Sequence, residues 1–242
     1  MKKEVVVIES PKSPESEMFR NLRTNIQFMN ADSEKKIMVI TSTVPGEGKS
    51  YVTSNLAAAF SQINKKVLII DADMRKGRQY STFDLKPRPG LSNFLSGVVD
   101  QDFIDKKDDI INYVQETEVE NLFLITSGSV PPNPSELLVS TKMQYIIDTL
   151  KQVFDIIIFD APPCLVVADA LILSRLVDFS IIISAQNYTR LEDLNKAKMA
   201  IENVGGKVAG VVLNKVQMNA KTYSNSYYYG EKMTDFKPKQ RK

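Results

Sequence analysis

Six short runs of Val, Ile, Leu and Phe constrain this chain more than any other feature. They fall at residues 37–41, 66–71, 122–126, 155–160, 179–185 and 207–215. Most are continuously apolar rather than alternating. That is the pattern of strands buried on both faces, as in a parallel sheet covered by helices. Helical spacing appears between them. One helix starts near Pro134-Ser135-Glu136 and carries Met143, Ile146, Ile147, Leu150 and Val153. Another carries Leu191, Leu194, Ile201 and Val204 and is stopped by Gly205-Gly206. The expected fold class is α/β: a doubly wound, mostly parallel sheet flanked by helices, with ligands at the carboxyl ends of its strands.

The first of these strands leads into Thr43-Val-Pro-Gly46-Glu47-Gly48-Lys49-Ser50, after which Val52, Leu56, Phe60 and Ile63 mark a helix. Strand, glycine loop, Gly-Lys-Ser and helix is the layout of a nucleotide phosphate cradle, which makes the fold a P-loop NTPase type. Backbone N–H groups and the helix start hold phosphates, Lys49 supplies a compact positive charge, and the Ser50 hydroxyl can ligate Mg²⁺. One position departs from the pattern, because Thr43 stands where the first glycine belongs.

Two further motifs end strands in carboxylates. Leu68-Ile-Ile-Asp71-Ala-Asp73-Met-Arg75 delivers two of them, and on an extended backbone Asp71 and Asp73 point the same way. Unaided, such a pair repels and one pKa rises; a Mg²⁺ ion shared with phosphates removes that cost. Ile156-Ile-Ile-Phe-Asp160-Ala-Pro-Pro163 adds one more, the usual form of a second metal-side carboxylate in phosphate-cradle ATPases. Asn214 ends the last strand, where it suits either an adenine edge or a turn. Arg75 and Lys76 suit an acidic substrate, a γ-phosphate or plain surface charge. Cys164 reads as a small buried residue, and Pro131-Pro-Asn-Pro134 as a rigid loop before a helix.

Composition closes off several chemistries. There is no histidine, which excludes histidine zinc sites and Ser-His-Asp catalysis, and one cysteine cannot form an intramolecular disulfide. A net charge of +2 gives no reason to expect nucleic acid. No run of 18 apolar residues occurs, and the apolar stretch at the start is too short for a signal-peptide core, so no membrane span is expected.

Residues 1–12 read as an arm with one short strand at 5–8, and Pro14 opens a helix to about Met29 with Met18, Leu22, Ile26 and Met29 on its packed face. Glu17, Arg20 and Arg23 lie on another face, as a solvated charged strip or as intermolecular ion pairs. Beyond Lys215 the apolar pattern fails, and residues 216–242 read as a flexible tail. Four of the nine tyrosines, Tyr223, Tyr227, Tyr228 and Tyr229, lie in this tail. Aromatics are normally depleted from such segments, so the cluster suggests modification or binding sites on a tether.

Taken together, Glu17-x-x-Arg20-x-x-Arg23, the stretch from Thr41 to Ser50, Ile70-Asp-Ala-Asp-Met-Arg-Lys76, Ser127-Gly-Ser-Val-Pro-Pro-Asn-Pro-Ser-Glu136, Phe159-Asp-Ala-Pro-Pro163 and the tyrosine tail resemble the bacterial tyrosine kinases, specifically the cytoplasmic catalytic subunit of the split Gram-positive type. The resemblance spans nearly the whole chain. It implies ATP and Mg²⁺ as cofactors, with Walker A at Gly46, Glu47, Gly48, Lys49 and Ser50, Tyr51 beside it, Walker A′ from Asp71 to Arg75, and Walker B at Asp160. It also implies three regions: an arm with an oligomerisation helix (1–36), a kinase domain (37–215) and the tyrosine tail (216–242). Lys49, Asp71, Asp73, Arg75 and Asp160 would carry catalysis, and Ser50, Asp71, Asp73 and Asp160 would face the metal. The phosphoacceptors would be the four tail tyrosines, reached in trans inside a homo-oligomeric ring built through Glu17, Arg20 and Arg23. Further implied partners are a membrane adaptor, a tyrosine phosphatase and protein substrates. The kinase would sit in the cytoplasm at the inner membrane face and regulate exopolysaccharide or capsule export. Two departures stand out: Gly77 follows Arg75-Lys76 where many relatives have proline, and Tyr51 is bulkier than the usual residue. The competing class is a nucleotide-switched positioning ATPase of the partition or septum-placement type. It shares the three motifs but carries a signature lysine where this chain has Val44. A non-enzymatic nucleotide-binding scaffold is a third reading.

Overall fold

A computed structural model describes residues 4–29 and 36–217. Among these, seven strands form one sheet: β1 (Lys36–Ser42), β2 (Val67–Asp71), β3 (Gln115–Glu116), β4 (Leu122–Ile125), β5 (Ile156–Asp160), β6 (Phe179–Ala185) and β7 (Val208–Asn214). Their order is β3-β4-β2-β5-β1-β6-β7, and every neighbouring pair is parallel except the antiparallel edge pair β3–β4. The six expected strands are present within a residue or two of their expected ends. Two-residue β3 is too short to leave a periodic signal.

Nine α-helices accompany them among the described residues: α1 (Val6–Glu9), α2 (Pro14–Met29), α3 (Lys49–Ser61), α4 (Gln79–Phe83), α5 (Leu91–Ser96), α6 (Pro134–Val139), α7 (Thr141–Val153), α8 (Asp169–Ser174) and α9 (Leu191–Asn203). The continuous apolar runs supply two cores at once. From β1, Met38 and Ile40 face α3, meeting Leu56 and Phe60, while Val39 joins Ile146 and Leu150 of α7 on the opposite side. Burying each such side chain fully contributes about 1.5–3 kcal/mol. Helix α3 is buried from Val52 to Ser61, because the sheet covers one side and α1 and α2 cover the other.

Three expectations need correction. Residues 5–8 are not a strand. Val6–Glu9 is helical, with the Val7 N–H donating to Asn55 Oδ1 at 3.2 Å and Ser16 Oγ donating to Val6 O at 3.0 Å. β-branched residues favour strands only where a sheet edge can take them; the edges here are β3 and β7, and this segment lies on α3 instead. The helix expected from Pro134 onward is two helices. Ser140 between them is extended (φ −65°, ψ 154°), and its hydroxyl donates to Leu137 O, closing α6. On α2 the buried line is Ser16, Phe19 and Ile26, whereas Met18 and Met29 are largely exposed.

Arg23 also leaves the outer strip. Its Nη1 donates to Ala59 O at 2.8 Å near the carboxyl end of α3, while Arg20 Nη1 pairs with Glu17 at 2.8 Å on the surface. A cation at a helix C-terminus is favourable. Arg23 therefore fastens α2 to α3.

Candidate active site

The loop between β1 and α3 turns on two residues that must be glycine. Gly46 (φ 86°) and Gly48 (φ 95°) are left-handed, and a Cβ on Gly48 would come within 2.1 Å of Asn214 Nδ2. Glu47 between them points inward and is fully buried. Its Oε2 accepts the Thr43 N–H at 2.7 Å and the Val44 N–H at 3.0 Å; its Oε1 accepts Thr43 Oγ1 at 3.0 Å and Thr189 Oγ1. The missing first glycine is explained here. Thr43 supplies a hydroxyl to the carboxylate that closes the loop, which a glycine could not.

The same loop is braced from outside through three consecutive carbonyls. Tyr188 Oη donates to Pro45 O at 3.1 Å, Lys215 Nζ to Gly46 O at 2.6 Å and Asn214 Nδ2 to Glu47 O at 2.9 Å. With its carbonyls committed outward, the loop is left with N–H groups for an anion.

Parallel register sets the carboxylates. Asp71 of β2 pairs with Asp160 of β5, so neighbouring strands end in adjacent acids, and both are essentially inaccessible to water. Burial, then the charge of Asp160, pushes the Asp71 carboxyl well above the ordinary carboxylate range. Burial raises Asp160 too; Lys49, the Ser50 hydroxyl and Gln79 pull it back. Gln79, which no sequence signal marked, sits between the two. Its backbone N–H donates to Asp71 Oδ2 at 3.0 Å, and its Nε2 donates to Asp160 Oδ2 at 2.7 Å and to Ser50 O at 3.1 Å. One residue, through its backbone N–H and its side-chain amide, thus ties β2, β5 and the start of α3. Replacing Gln79 by Ala should cost at least tenfold in turnover with a smaller rise in nucleotide KM, because Asp160 loses its orientation while the loop persists. Steady-state ATPase kinetics would read that split.

Asp73 does not point alongside Asp71. The chain leaves the extended conformation after Asp71, and Asp73 Oδ1 caps its own turn by accepting the Lys76 N–H at 2.9 Å and the Arg75 N–H at 3.3 Å. Its charge still raises both buried acids. Arg75 leans on Asp169 at the start of α8, with Nη2 3.5 Å from Oδ1. Ser135 of α6 donates to the same oxygen. Sequence reading passed over Asp169 and Ser135 because neither stands at a strand end.

Gly77 has no room for a side chain. A Cβ there would lie 2.2 Å from Ser127 Oγ and 2.9 Å from Asp71 Oδ2. Gly77→Ala should therefore destabilise by about 1–3 kcal/mol, read as a fall in melting temperature. Tyr51 turns its ring onto Phe19 of α2 (centroids 5.9 Å apart, edge-on), away from the loop. Cys164 is buried, as expected.

Mg²⁺ fits this donor set. Asp160 Oδ1 is buried with no hydrogen-bond partner, and two buried acids adjoin a hydroxyl and a lysine. Among the described residues no three His, Cys, Asp or Glu side chains group as a metal cage. Hard oxygens from two acids and a serine, completed by phosphate and water, are the usual Mg²⁺ arrangement. A separate cavity of about 250 Å³ lies at the opposite ends of the strands, lined by Lys36, Phe154, Asp155 and Asp178, away from these acids.

The AAA domain family model matches residues 35–210. The tyrosine-protein kinase YwqD of Bacillus subtilis (strain 168) is 39% identical over 232 residues, covering 96% of this chain and 93% of its own. The crystal structure of the chimerical protein CapA2B2 superposes with a TM-score of 0.81 at 38% identity, covering 90% of this chain and 92% of that one. The septum site-determining protein MinD of Pyrococcus horikoshii, complexed with Mg-ADP, shares the fold at 21% identity and a TM-score of 0.62, covering 79% of this chain and 77% of that one.

Proposed function

Because the chain belongs to the bacterial tyrosine-protein kinase family, we propose that it transfers the γ-phosphoryl group of Mg-ATP to tyrosine hydroxyls, chiefly those of Tyr223, Tyr227, Tyr228 and Tyr229 on a neighbouring copy. Those four residues lie outside the described part of the structure. The observation that carries the reading is the buried Asp71–Asp160 pair, held by Gln79 beside Lys49 and Ser50. Lys49 and the N–H groups from Gly46 to Ser50 hold the β- and γ-phosphates; Ser50, Asp71 and Asp160 would face the metal, with Asp73 adding its negative charge from the adjoining turn. Bound Mg²⁺ would supply the positive charge that lets both buried acids stay ionised. Asp71 or Asp73 orients the attacking hydroxyl and takes its proton. Free tyrosine has a pKa near 10, so positioning contributes more than full deprotonation. Arg75, poised by Asp169, faces the acceptor side. Asn214 acts on the nucleotide through the loop it braces, and Tyr51 follows at the first turn of α3.

Assembly is a ring in which Glu17 and Arg20 present the outer face of α2 and Arg23 fixes that helix from beneath. Among the described residues no helix is long and apolar enough to cross a membrane. A separate membrane adaptor then brings the kinase to the inner face of the membrane, with a tyrosine phosphatase opposing it in control of capsule or exopolysaccharide export. Each phosphate adds roughly −1.5 to −2 charges, so four add about −6 to −8 against a net +2. The phosphorylated tail should leave its neighbour's acidic site and loosen the ring. Native mass spectrometry before and after phosphatase treatment checks this; an unchanged assembly would sink it.

Incubating the chain with Mg-ATP and mapping phosphotyrosine tests the activity, with Lys49→Met and a variant carrying four tail Tyr→Phe changes as controls. ATP turnover without phosphotyrosine would instead favour a positioning ATPase.

A further inference from the structure

Tyr188 lies in the turn between β6 and α9 and is 58% exposed. Its Oη makes one hydrogen bond, donated to Pro45 O at 3.1 Å. Lys215 Nζ stands 5.8 Å from the ring centroid while donating to the adjacent carbonyl, Gly46 O, at 2.6 Å. Two of the three outer carbonyl anchors of the phosphate loop therefore depend on a phenol and an ammonium that are neighbours.

We propose that Tyr188 is itself a phosphoacceptor of this kinase, and that its phosphorylation unlatches the phosphate loop. The inference rests on the reading that copies of the chain phosphorylate one another. Tyr188 Oη sits on the carbonyl side of the loop, whereas bound phosphate sits on the N–H side. A copy therefore cannot present Tyr188 to its own γ-phosphate, and a second copy must do so. In that step Tyr188 Oη forms a bond to the γ-phosphorus of the second copy's ATP. The bond from that phosphorus to the β–γ bridging oxygen breaks and ADP leaves. The phenolic proton goes to a carboxylate of the second copy.

The consequences follow from chemistry at the latch. A phosphorylated Oη has no proton for Pro45 O, and it places roughly −1.5 to −2 charges beside a carbonyl oxygen. Lys215, whose ammonium lies over the Tyr188 ring, can pair with the phosphate, which draws it off Gly46 O. Only Asn214, on Glu47 O, still braces the loop from outside. With two of its three outer anchors lost, the loop should hold nucleotide roughly tenfold more weakly. An active ring would thereby limit its own turnover.

The test uses the full chain and the variant with four tail Tyr→Phe changes, each incubated with Mg-ATP. The peptide spanning residues 176–190, bounded by Arg175 and Arg190, is then mapped by mass spectrometry. Phosphate on Tyr188 is expected in both. Mixing an active copy with the Lys49→Met variant should place it on the inactive copy, and phosphate confined to active copies would overturn the trans route. A phosphorylated tail with Tyr188 unmodified would overturn the proposal while leaving the kinase reading intact; no phosphotyrosine anywhere would overturn both. Affinity for a fluorescent ADP, measured on the tail variant before and after phosphatase treatment, should differ about tenfold. Equal affinities would refute the latch.

Discussion

Glu47→Ala should cost this protein both its nucleotide affinity and a large part of its stability, whereas Glu47→Gln should be mild. Among the described residues the Glu47 carboxylate is the only acceptor for the N–H groups of Thr43 and Val44, and it also takes the Thr43 and Thr189 hydroxyls. Alanine removes all four bonds at a site with no solvent access. Each backbone donor orphaned in a buried site costs about 1–3 kcal/mol, which sums to roughly 3–5 kcal/mol with the hydroxyls partly able to reorient. The loop would then no longer hold its N–H groups toward the phosphates, and a loss of about 2.7 kcal/mol in binding is a hundredfold in Kd. Glutamine behaves differently. Its carbonyl can keep both N–H groups while its amide donates to the two hydroxyls, which accept as readily as they donate. Bond number survives and only charge assistance is lost. Calorimetric titration with ADP and thermal melts of both variants decide the matter. Equal losses in the two would show that charge, not closure of the loop, is what Glu47 provides.

That loop also shows where sequence reading succeeds and where it stops. Strands β1, β2, β5 and β6 were legible because a strand buried on both faces must be apolar throughout, and the phosphate cradle because Gly46 and Gly48 adopt backbone angles other residues avoid. Asp71 and Asp160 were legible as acids at strand ends. Their adjacency was not, since it depends on β2 and β5 being neighbours although far apart in sequence. Gln79, Tyr188 and Asp169 escaped for the same reason: each acts by reaching across to another element, and nothing in its local sequence records the destination. The arm at 5–8 failed in the opposite way. Its β-branched run was read correctly as β-prone, but the fold offers it the flank of α3 rather than an edge. For Asp73 local turn formation defeated the assumption of an extended backbone.

Asp71→Asn should abolish most turnover and yet make the nucleotide-free protein more stable at neutral pH. The raised carboxyl of Asp71 arises first from burial and next from the charge of Asp160. A carboxyl whose folded pKa lies above its unfolded value of about 3.9 binds its proton more tightly in the folded state. Its favourable contribution is therefore complete below about pH 4 and is lost as pH rises through the folded value. At neutral pH the free protein bears the cost of ionising adjacent buried acids. Asparagine removes one of the charges, though its amide cannot accept both the Gln79 and Asp73 N–H groups that Asp71 accepts. The net gain should be about 1–2 kcal/mol, the scale on which relieving an uncompensated buried charge acts. In a chain of this size that is a rise of a few degrees in melting temperature. The gain should shrink and then reverse as pH falls toward 4, where the wild-type acid is protonated and only the lost hydrogen bond remains. Turnover should fall by about 10²–10⁴, the usual worth of a positioned acid–base group. Mg-ADP should stabilise the wild type more than the variant, because the metal offsets a repulsion the variant no longer has. Melting curves across pH 4–8, with and without Mg-ADP, separate these effects. A variant less stable than wild type by the same margin at every pH would show that the buried pair carries no electrostatic cost, and the metal-dependent reading of Asp71 would fall with it.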